Sequence, residues 1–543
     1  MSKALAALFI VSLLSSVAFA QDKPAASTQS CDNVAKLSLP NTKIVSAQTI
    51  PAGAFPLPGG ASPSGPMASL YKSLPSFCRV VAQATPSADS DIKIEIWMPS
   101  SDWNGRFQAQ GNGGFGGSID YFGMGSALRL GYATASTDTG HEADGADARW
   151  ALGHLEKVID FGYRAIHEMT LLAKAAIKAF YSANPHYSYF GSCSNGGRQA
   201  LMEAQRFPDD YDGILAGAPA NFWTHLLTSA LWDAQALTLE PASYIPSTKI
   251  PAIARAVNAA CDARDGVSDG IVDDPRKCQF DPAALLCKNA DSDSCLTPPQ
   301  VQTLRKLYEG AHDSRGREIF PGFLPGAEEG QGGWEPWIFG SGPGKSLVFA
   351  FGIGYFSNMV YARAGWNYKD AKLDDALNAA EEKTASILNS NGPNLAAFNR
   401  RGGKLILYHG WNDPAISALN TVNYYNSVLR VMGEKEITSF VRLYMVPGMQ
   451  HCGSGPGPFR FGEPGSLKPP MPNDAQHNVT LALEEWVERG NAPSTIITTK
   501  YRDDDPAKGI EMTRPLCPYP RSAKYKGSGN TNDATNFVCS EPR

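Results

Sequence analysis

The dipeptides Cys193-Ser194 and His451-Cys452 restrict the folds open to this chain more than any other feature of it. Each sets a cysteine directly beside a residue able to take part in acyl transfer. A disulfide holds its two Cα atoms roughly 5.5–6 Å apart. If Cys193 and Cys452 are bonded to each other, Ser194 and His451 become neighbours although 257 positions separate them. They are then close enough for a hydroxyl–imidazole hydrogen bond, and the pair reads as nucleophile and general base.

Ten cysteines are an even number, which allows full pairing and fits an oxidising compartment. Sequence alone does not determine the connectivity. Proximity along the chain suggests Cys261–Cys278, Cys287–Cys295 and Cys517–Cys539, with Cys31–Cys78 tying down the mature N-terminus. That leaves Cys193 and Cys452 for each other. The N-terminus points to the same compartment. Lys3, an apolar run over 5–17 and the small-x-small Ala18-Phe19-Ala20 before Gln21 make residues 1–20 a secretory signal. The run is too short to favour a membrane anchor, and no cysteine sits directly after the cleavage site for lipid attachment. A secreted or periplasmic protein is expected. A formal net charge of −5 argues against nucleic acid as the main partner.

The length of 543 residues suggests more than one domain, or one domain with a large insertion. Strands are expected over 91–98, where Ile92, Ile94 and Ile96 share a face, and over 106–110, 132–137, 187–190, 211–217, 404–408 and 440–446. Helices are expected over 155–182, 198–206, 416–431 and 477–488. This alternation indicates an α/β architecture with a mainly parallel sheet. Residues 222–400 break the rhythm and read as a lid domain inserted between core parts 21–221 and 401–543.

Ser194 lies in Ser192-Cys193-Ser194-Asn195-Gly196, close to the G-x-S-x-G nucleophile elbow except that Ser192 replaces the first glycine. Asp413 follows a predicted strand end, as does His451, so the order is the Ser, Asp, His of an α/β-hydrolase. In these roles Ser194 attacks an ester carbonyl, His451 moves the proton and Asp413 orients the imidazole. Asn195 supplies one oxyanion-hole N–H and Gly111 the other, with Gly113 and Gly114 as alternatives to Gly111. His141 and His409 are rival bases without a flanking cysteine, and His167 reads as structural. Asp262, Asp265, Asp269, Asp273 and Asp274, bent by Gly266 and Gly270, suit a hard cation. A solvated acidic turn closed by Cys261–Cys278 explains the same residues equally well.

With these residues assembled, the chain resembles the tannase and feruloyl esterase family, whose Cys-Ser, Asp and His-Cys triad is accompanied by a disulfide joining the two cysteines. Cys193-Ser194, Asp413 and His451-Cys452 match it. Trp103-Asn104-Gly105-Arg106-Phe107, residues 191–197, Tyr408-His409-Gly410, Val446-Pro447-Gly448-Met449, Cys517 and Tyr525-Lys526-Gly527-Ser528-Gly529 extend the likeness over nearly the whole mature chain. The resemblance implies an α/β-hydrolase core with a large inserted lid, five disulfides and a structural calcium. Its ligands carry over to the carboxylates of Asp262, Asp265 and Asp269 and the carbonyls of Val267 and Ile271. It also implies an exported serine esterase that hydrolyses small aromatic esters, of hydroxycinnamic or gallic acid from plant material, through an acyl-enzyme. Some members of the family take a terephthalate monoester. The arginine that binds its second carboxylate has no clear counterpart between residues 334 and 366, so that substrate is the alternative.

Two other classes compete. An exported binding protein that kept the fold has no need of all three triad groups. A lipase or peptidase on the same core is disfavoured because the inserted segment offers Trp, Tyr and Phe rather than a long aliphatic surface.

Overall fold

Alternation along single strands divides the apolar residues between two faces of one sheet. In Lys404–Gly410, Leu405 and Leu407 enter one buried cluster while Ile406 and Tyr408 enter another, as a two-residue repeat requires. The computed structural model describes residues 31–57, 64–466 and 472–541. The expected signal segment, 1–20, and the polar lead after it lie outside the described residues.

The sheet has nine strands: β1 (Thr42–Ile50), β2 (Phe77–Ala84), β3 (Ile92–Pro99), β4 (Arg106–Gln110), β5 (Ala133–Thr137), β6 (Tyr187–Cys193), β7 (Gly213–Gly217), β8 (Lys404–Gly410) and β9 (Val441–Val446). Their order is β1-β2-β3-β5-β4-β6-β7-β8-β9. From β5 to β9 every neighbour is parallel. β1, β2 and β3 join at one edge as antiparallel strands, and β3 meets β5 antiparallel. The sheet is therefore mixed, with a parallel half that carries the loops of interest. β5 and β7 are buried throughout, as expected where helices cover both faces of a parallel sheet.

Helices α1 (Ala165–Tyr181), α2 (Asn195–Arg206) and α5 (Ala418–Met432) contribute to the cluster on one face, and α6 (Val479–Arg489) to the cluster on the other. The helix expected over 155–182 is present but passes through a π-turn at Asp160–Arg164. Between β7 and β8 the inserted segment includes α3 (Trp223–Thr238) and α4 (Leu347–Tyr355), which pack on each other. It has a cluster of its own, including Leu237, Ile253, Leu304, Trp334 and Phe339. A second cluster, with Phe115 and Phe161 on one side and Trp223 and Phe356 on the other, joins it to the sheet-bearing part. Five disulfides are formed: Cys31–Cys78, Cys193–Cys452, Cys261–Cys278, Cys287–Cys295 and Cys517–Cys539. Among the described residues no helix is long and apolar enough to cross a membrane.

Candidate active site

β6 turns directly into α2 at Ser194, whose φ of 66° and ψ of −126° lie in a region that side-chain-bearing residues rarely adopt. The turn is held on both sides. Ser194 N–H donates to Gly217 O at 3.0 Å, and Ser194 O accepts from Arg198 N and Ala220 N at 3.1 Å each. Glycine is required next. A Cβ at Gly196 would stand 1.9 Å from Ser192 Oγ, and one at Gly197 would stand 2.3 Å from Gly217 O. Ser192 is accommodated where the elbow pattern has glycine because Gly111 and Gly196 leave it room; a Cβ at Gly111 would meet Ser192 Cβ at 2.9 Å.

His451 lies in the loop after β9 and Asp413 in the loop after β8. His451 Nε2 is 2.9 Å from Ser194 Oγ, and His451 Nδ1 is 2.7 Å from Asp413 Oδ2. An ionised Asp413 accepts the Nδ1–H, which leaves Nε2 to accept the serine hydroxyl proton. The Cys193–Cys452 bridge, with its Cα atoms 6.0 Å apart, fastens the residue before Ser194 to the residue after His451. Asp413 is buried, and burial by itself favours its neutral form. The charge of His451 and the hydrogen bonds from His409 and His451 outweigh that and hold the carboxyl well below the usual carboxylate range. Its Oδ1 also accepts from Ala415 N at 2.8 Å and Ile416 N at 2.9 Å.

His409 is not a competing base. Its Nε2 lies 3.1 Å from both Asp413 Oδ2 and the Ile416 carbonyl, and its Nδ1 lies 2.7 Å from Thr421 Oγ1. Fully buried, it braces the triad carboxylate. His141 stacks on Trp150 and donates from Nε2 to Phe115 O at 2.9 Å; burial lowers its pKa to about 4. His167 pairs with Asp210 at 2.7 Å.

The N–H groups of a helix's first turn have no intrahelical partner, and Asn195 opens α2. Its side chain is fixed from two sides, by Asn112 O at 3.2 Å and by Arg198 Nε at 2.7 Å. Arg198 is fully buried. It donates to Gly162 O and Phe161 O and lies over the rings of Phe161 and Trp223. Gln199 accepts Asn112 N–H at 2.9 Å and so sets the start of the glycine loop. Within that loop Gly111 packs against Gln199 and Ser192, whereas Gly114 lines the cavity beside Ser194 and Asn195. Neither Arg198 nor Gln199 stood out in the sequence. A cation and an amide four and five positions past a nucleophile, on the side of a helix that packs inward, are the only signal.

The cavity over Ser194 is walled by Trp223, Leu226, Leu227, Trp337, Phe351 and Ile416. Trp337 meets His451 edge-on at 4.8 Å between centroids. Of the aromatic residues prominent in the inserted segment, Trp337 and Phe351 thus face the site, while Trp334, Phe339, Tyr355 and Phe356 are core.

The acidic loop lies elsewhere, and Ile271 packs toward Gly448 at the base of the His451 loop. Asp262 Oδ1 accepts from Asp269 N and Gly270 N, Asp265 from Val267 N and Asp273 N, and Asp269 Oδ1 from Ile271 N. Arg514 pairs with the other oxygen of Asp269. The carboxyls of Asp265 and Asp269 are raised, first by burial and then in part by their acidic neighbours. Among the described residues no donor reaches the carbonyls of Val267 or Ile271. Carboxylates and unengaged carbonyls are oxygen donors of the kind a hard cation takes, but the carboxylate oxygens of Asp262, Asp265 and Asp269 do not all lie within 4.8 Å of one another.

A mixed sheet with covering helices, a serine at a sharp strand–helix turn, and Asp and His on loops after later strands define an α/β-hydrolase. The chain belongs to the tannase and feruloyl esterase family, whose model matches residues 78–540. It is 43% identical over 540 residues to an uncharacterized esterase of Xanthomonas campestris pv. campestris, covering 95% of this chain and 92% of that one. It is 33% identical over 541 residues to a probable feruloyl esterase B-1 of Aspergillus fumigatus, covering 98% and 99%. The crystal structure of feruloyl esterase B from Aspergillus oryzae matches with a TM-score of 0.84 at 31% identity, over 93% of this chain and 98% of that one. The protein is a carboxylic ester hydrolase.

Proposed function

We propose that the protein is an exported serine esterase that hydrolyses small esters of aromatic acids through an acyl-enzyme. The observation that carries this is the hydrogen-bonded run Ser194–His451–Asp413 at the mouth of an apolar, aromatic-walled cavity. Ser194 Oγ bonds to the acyl carbon as its proton passes to His451 Nε2, and the carbonyl oxygen takes the negative charge. The C–O bond to the alcohol then breaks, and the alcohol leaves with the proton from His451. Water attacks the acyl-enzyme as His451 accepts its proton, the Ser194–acyl bond breaks, and Ser194 recovers a proton as the acid departs.

Asn195 N–H is one donor to the oxyanion. The second is assigned to Gly114 rather than Gly111, because Gly114 borders the cavity beside the nucleophile. The walls favour a planar acyl group by stacking and apolar burial. Asp262, Asp265 and Asp269, with the carbonyls of Val267 and Ile271, would hold a calcium ion that neutralises crowded carboxylates and stiffens the loop; no triad residue lies in it. Five disulfides fit an oxidising, extracytoplasmic site of action.

Kinetics on matched methyl esters check the reading. Ferulate, p-coumarate or gallate should give a higher kcat/KM than octanoate, and a preference for octanoate would overturn it in favour of a lipase-like enzyme.

A further inference from the structure

A second, smaller recess adjoins the cavity above Ser194. Leu226 and Ala230 of α3, Val348 of α4 and Ala415 line both. One turn beyond Ala230, Asp233 faces that recess, together with Ser229, Leu307 and Phe320. Asp233 is 2% exposed. Among the described residues no hydrogen-bond donor or cation reaches its carboxyl. Several other buried acids are partnered, Glu95 by Arg79 and Trp97, Asp160 by Arg164 and Asp413 by two histidines, whereas Glu203 shares with Asp233 the lack of a hydrogen bond to either oxygen but does not line this recess. Burying a carboxyl without a partner is unfavourable by several kcal/mol relative to water. Burial accordingly pushes this carboxyl well above its usual range. In either protonation state it keeps an oxygen able to accept a hydrogen bond.

We propose that Asp233 is a specificity-determining residue that accepts a hydrogen bond from a phenolic hydroxyl at the far end of the acyl group. This rests on the aromatic acyl reading above and narrows it. An acid whose ring enters between Trp337 and Leu226 carries its distal substituent toward the recess. A phenolic O–H there supplies the donor that the protein withholds. A second carboxylate, as in a terephthalate monoester, would have to be buried there with no cation lining the recess, and a buried charge without a counter-charge is disfavoured. A site built to pair with a hydroxyl discriminates strongly against the analogue lacking it, because its own polar group is then left unpaired.

Methyl p-coumarate and methyl cinnamate differ only in that hydroxyl, and the ratio of their kcat/KM values within one protein is insensitive to the fraction folded. The unaltered enzyme should favour p-coumarate by roughly 10–100-fold, the range of a hydrogen bond to an ionisable group. Asp233→Leu should bring the ratio close to one, and Asp233→Asn, which keeps a carbonyl acceptor, should lie between. A ratio near one in the unaltered enzyme overturns the role of Asp233 while leaving aryl esterase activity in place. A Leu or Asn variant with the unaltered ratio does the same. If neither ester is turned over, the aromatic reading itself falls and this proposal with it.

Discussion

Asp413 Oδ2 accepts from two imidazoles where proton transfer requires only one. With Ala415 N–H and Ile416 N–H on the other oxygen, the carboxylate is bound on every side and its orientation is determined before substrate arrives. Asp413→Asn would turn an amide N–H toward one of the two histidines and favour the wrong tautomer of His451. A fall in kcat of about 10³–10⁴-fold with a near-normal melting temperature is expected. Because the folded state holds this carboxyl below its ordinary range, its stabilising contribution is present above that range and is lost as pH falls through the folded value. Ser194, Asp413 and His451 were legible because cysteines flank two of them and all three follow strand-like segments. The bracing by His409 was not, since it depends on where β8 ends: His409 and Asp413 meet only because the chain folds back over four residues. Gly114 stood only as an alternative to Gly111, for a similar reason. Which glycine of a run faces the nucleophile is decided by Gln199 holding Asn112 from another element.

At the scale of elements, the β6–α2 elbow and the loop after β9 are joined covalently. Replacing both Cys193 and Cys452 by Ala frees a link closed over 259 positions, worth on the order of 5 kcal/mol in a chain-entropy account. It also releases the Ser–His distance. In the variant still folded at low temperature, kcat should drop at least about tenfold, since small misplacements of reacting groups are expensive; an unchanged kcat would show that the bridge does not position the pair. Chelation of the acidic loop should lower the melting temperature, with calcium restoring it. An identical melting curve, with no calcium found by elemental analysis, would remove the metal from the account.

Asp138, after β5, gives a pH effect of opposite sign to Asp413. Its Oδ1 accepts from Lys93 N and Gly140 N, its Oδ2 is unpartnered, and burial raises it to about 7. Its stabilising contribution is full below the ordinary carboxylate range and is lost as pH rises toward about 7. Asp138→Asn should flatten that part of the profile of melting temperature against pH. Strands with a clear apolar rhythm, such as β3 and β8, were legible. β1 and β2 were not: β1 is an edge strand on which Lys43, Val45, Gln48 and Thr49 are exposed and only Ile50 is buried, so its pattern is weak.

For the whole molecule, function comes from placing the inserted segment over the parallel half of the sheet. α3 and α4 roof the nucleophile, and the segment's aromatic residues are divided between its own core and the cavity wall. The sequence shows their number but not that division, because both uses draw on the same residue types and only tertiary packing separates them. Everything in this arrangement turns on Ser194, activated by His451 and Asp413, as the group that carries out ester hydrolysis. Steady-state kinetics of Ser194→Ala on methyl ferulate, with a thermal melt of the same sample, tests that role most directly. The melt should be unaltered and kcat reduced by roughly 10⁴-fold or more. A folded Ser194→Ala protein that keeps most of its activity would contradict it.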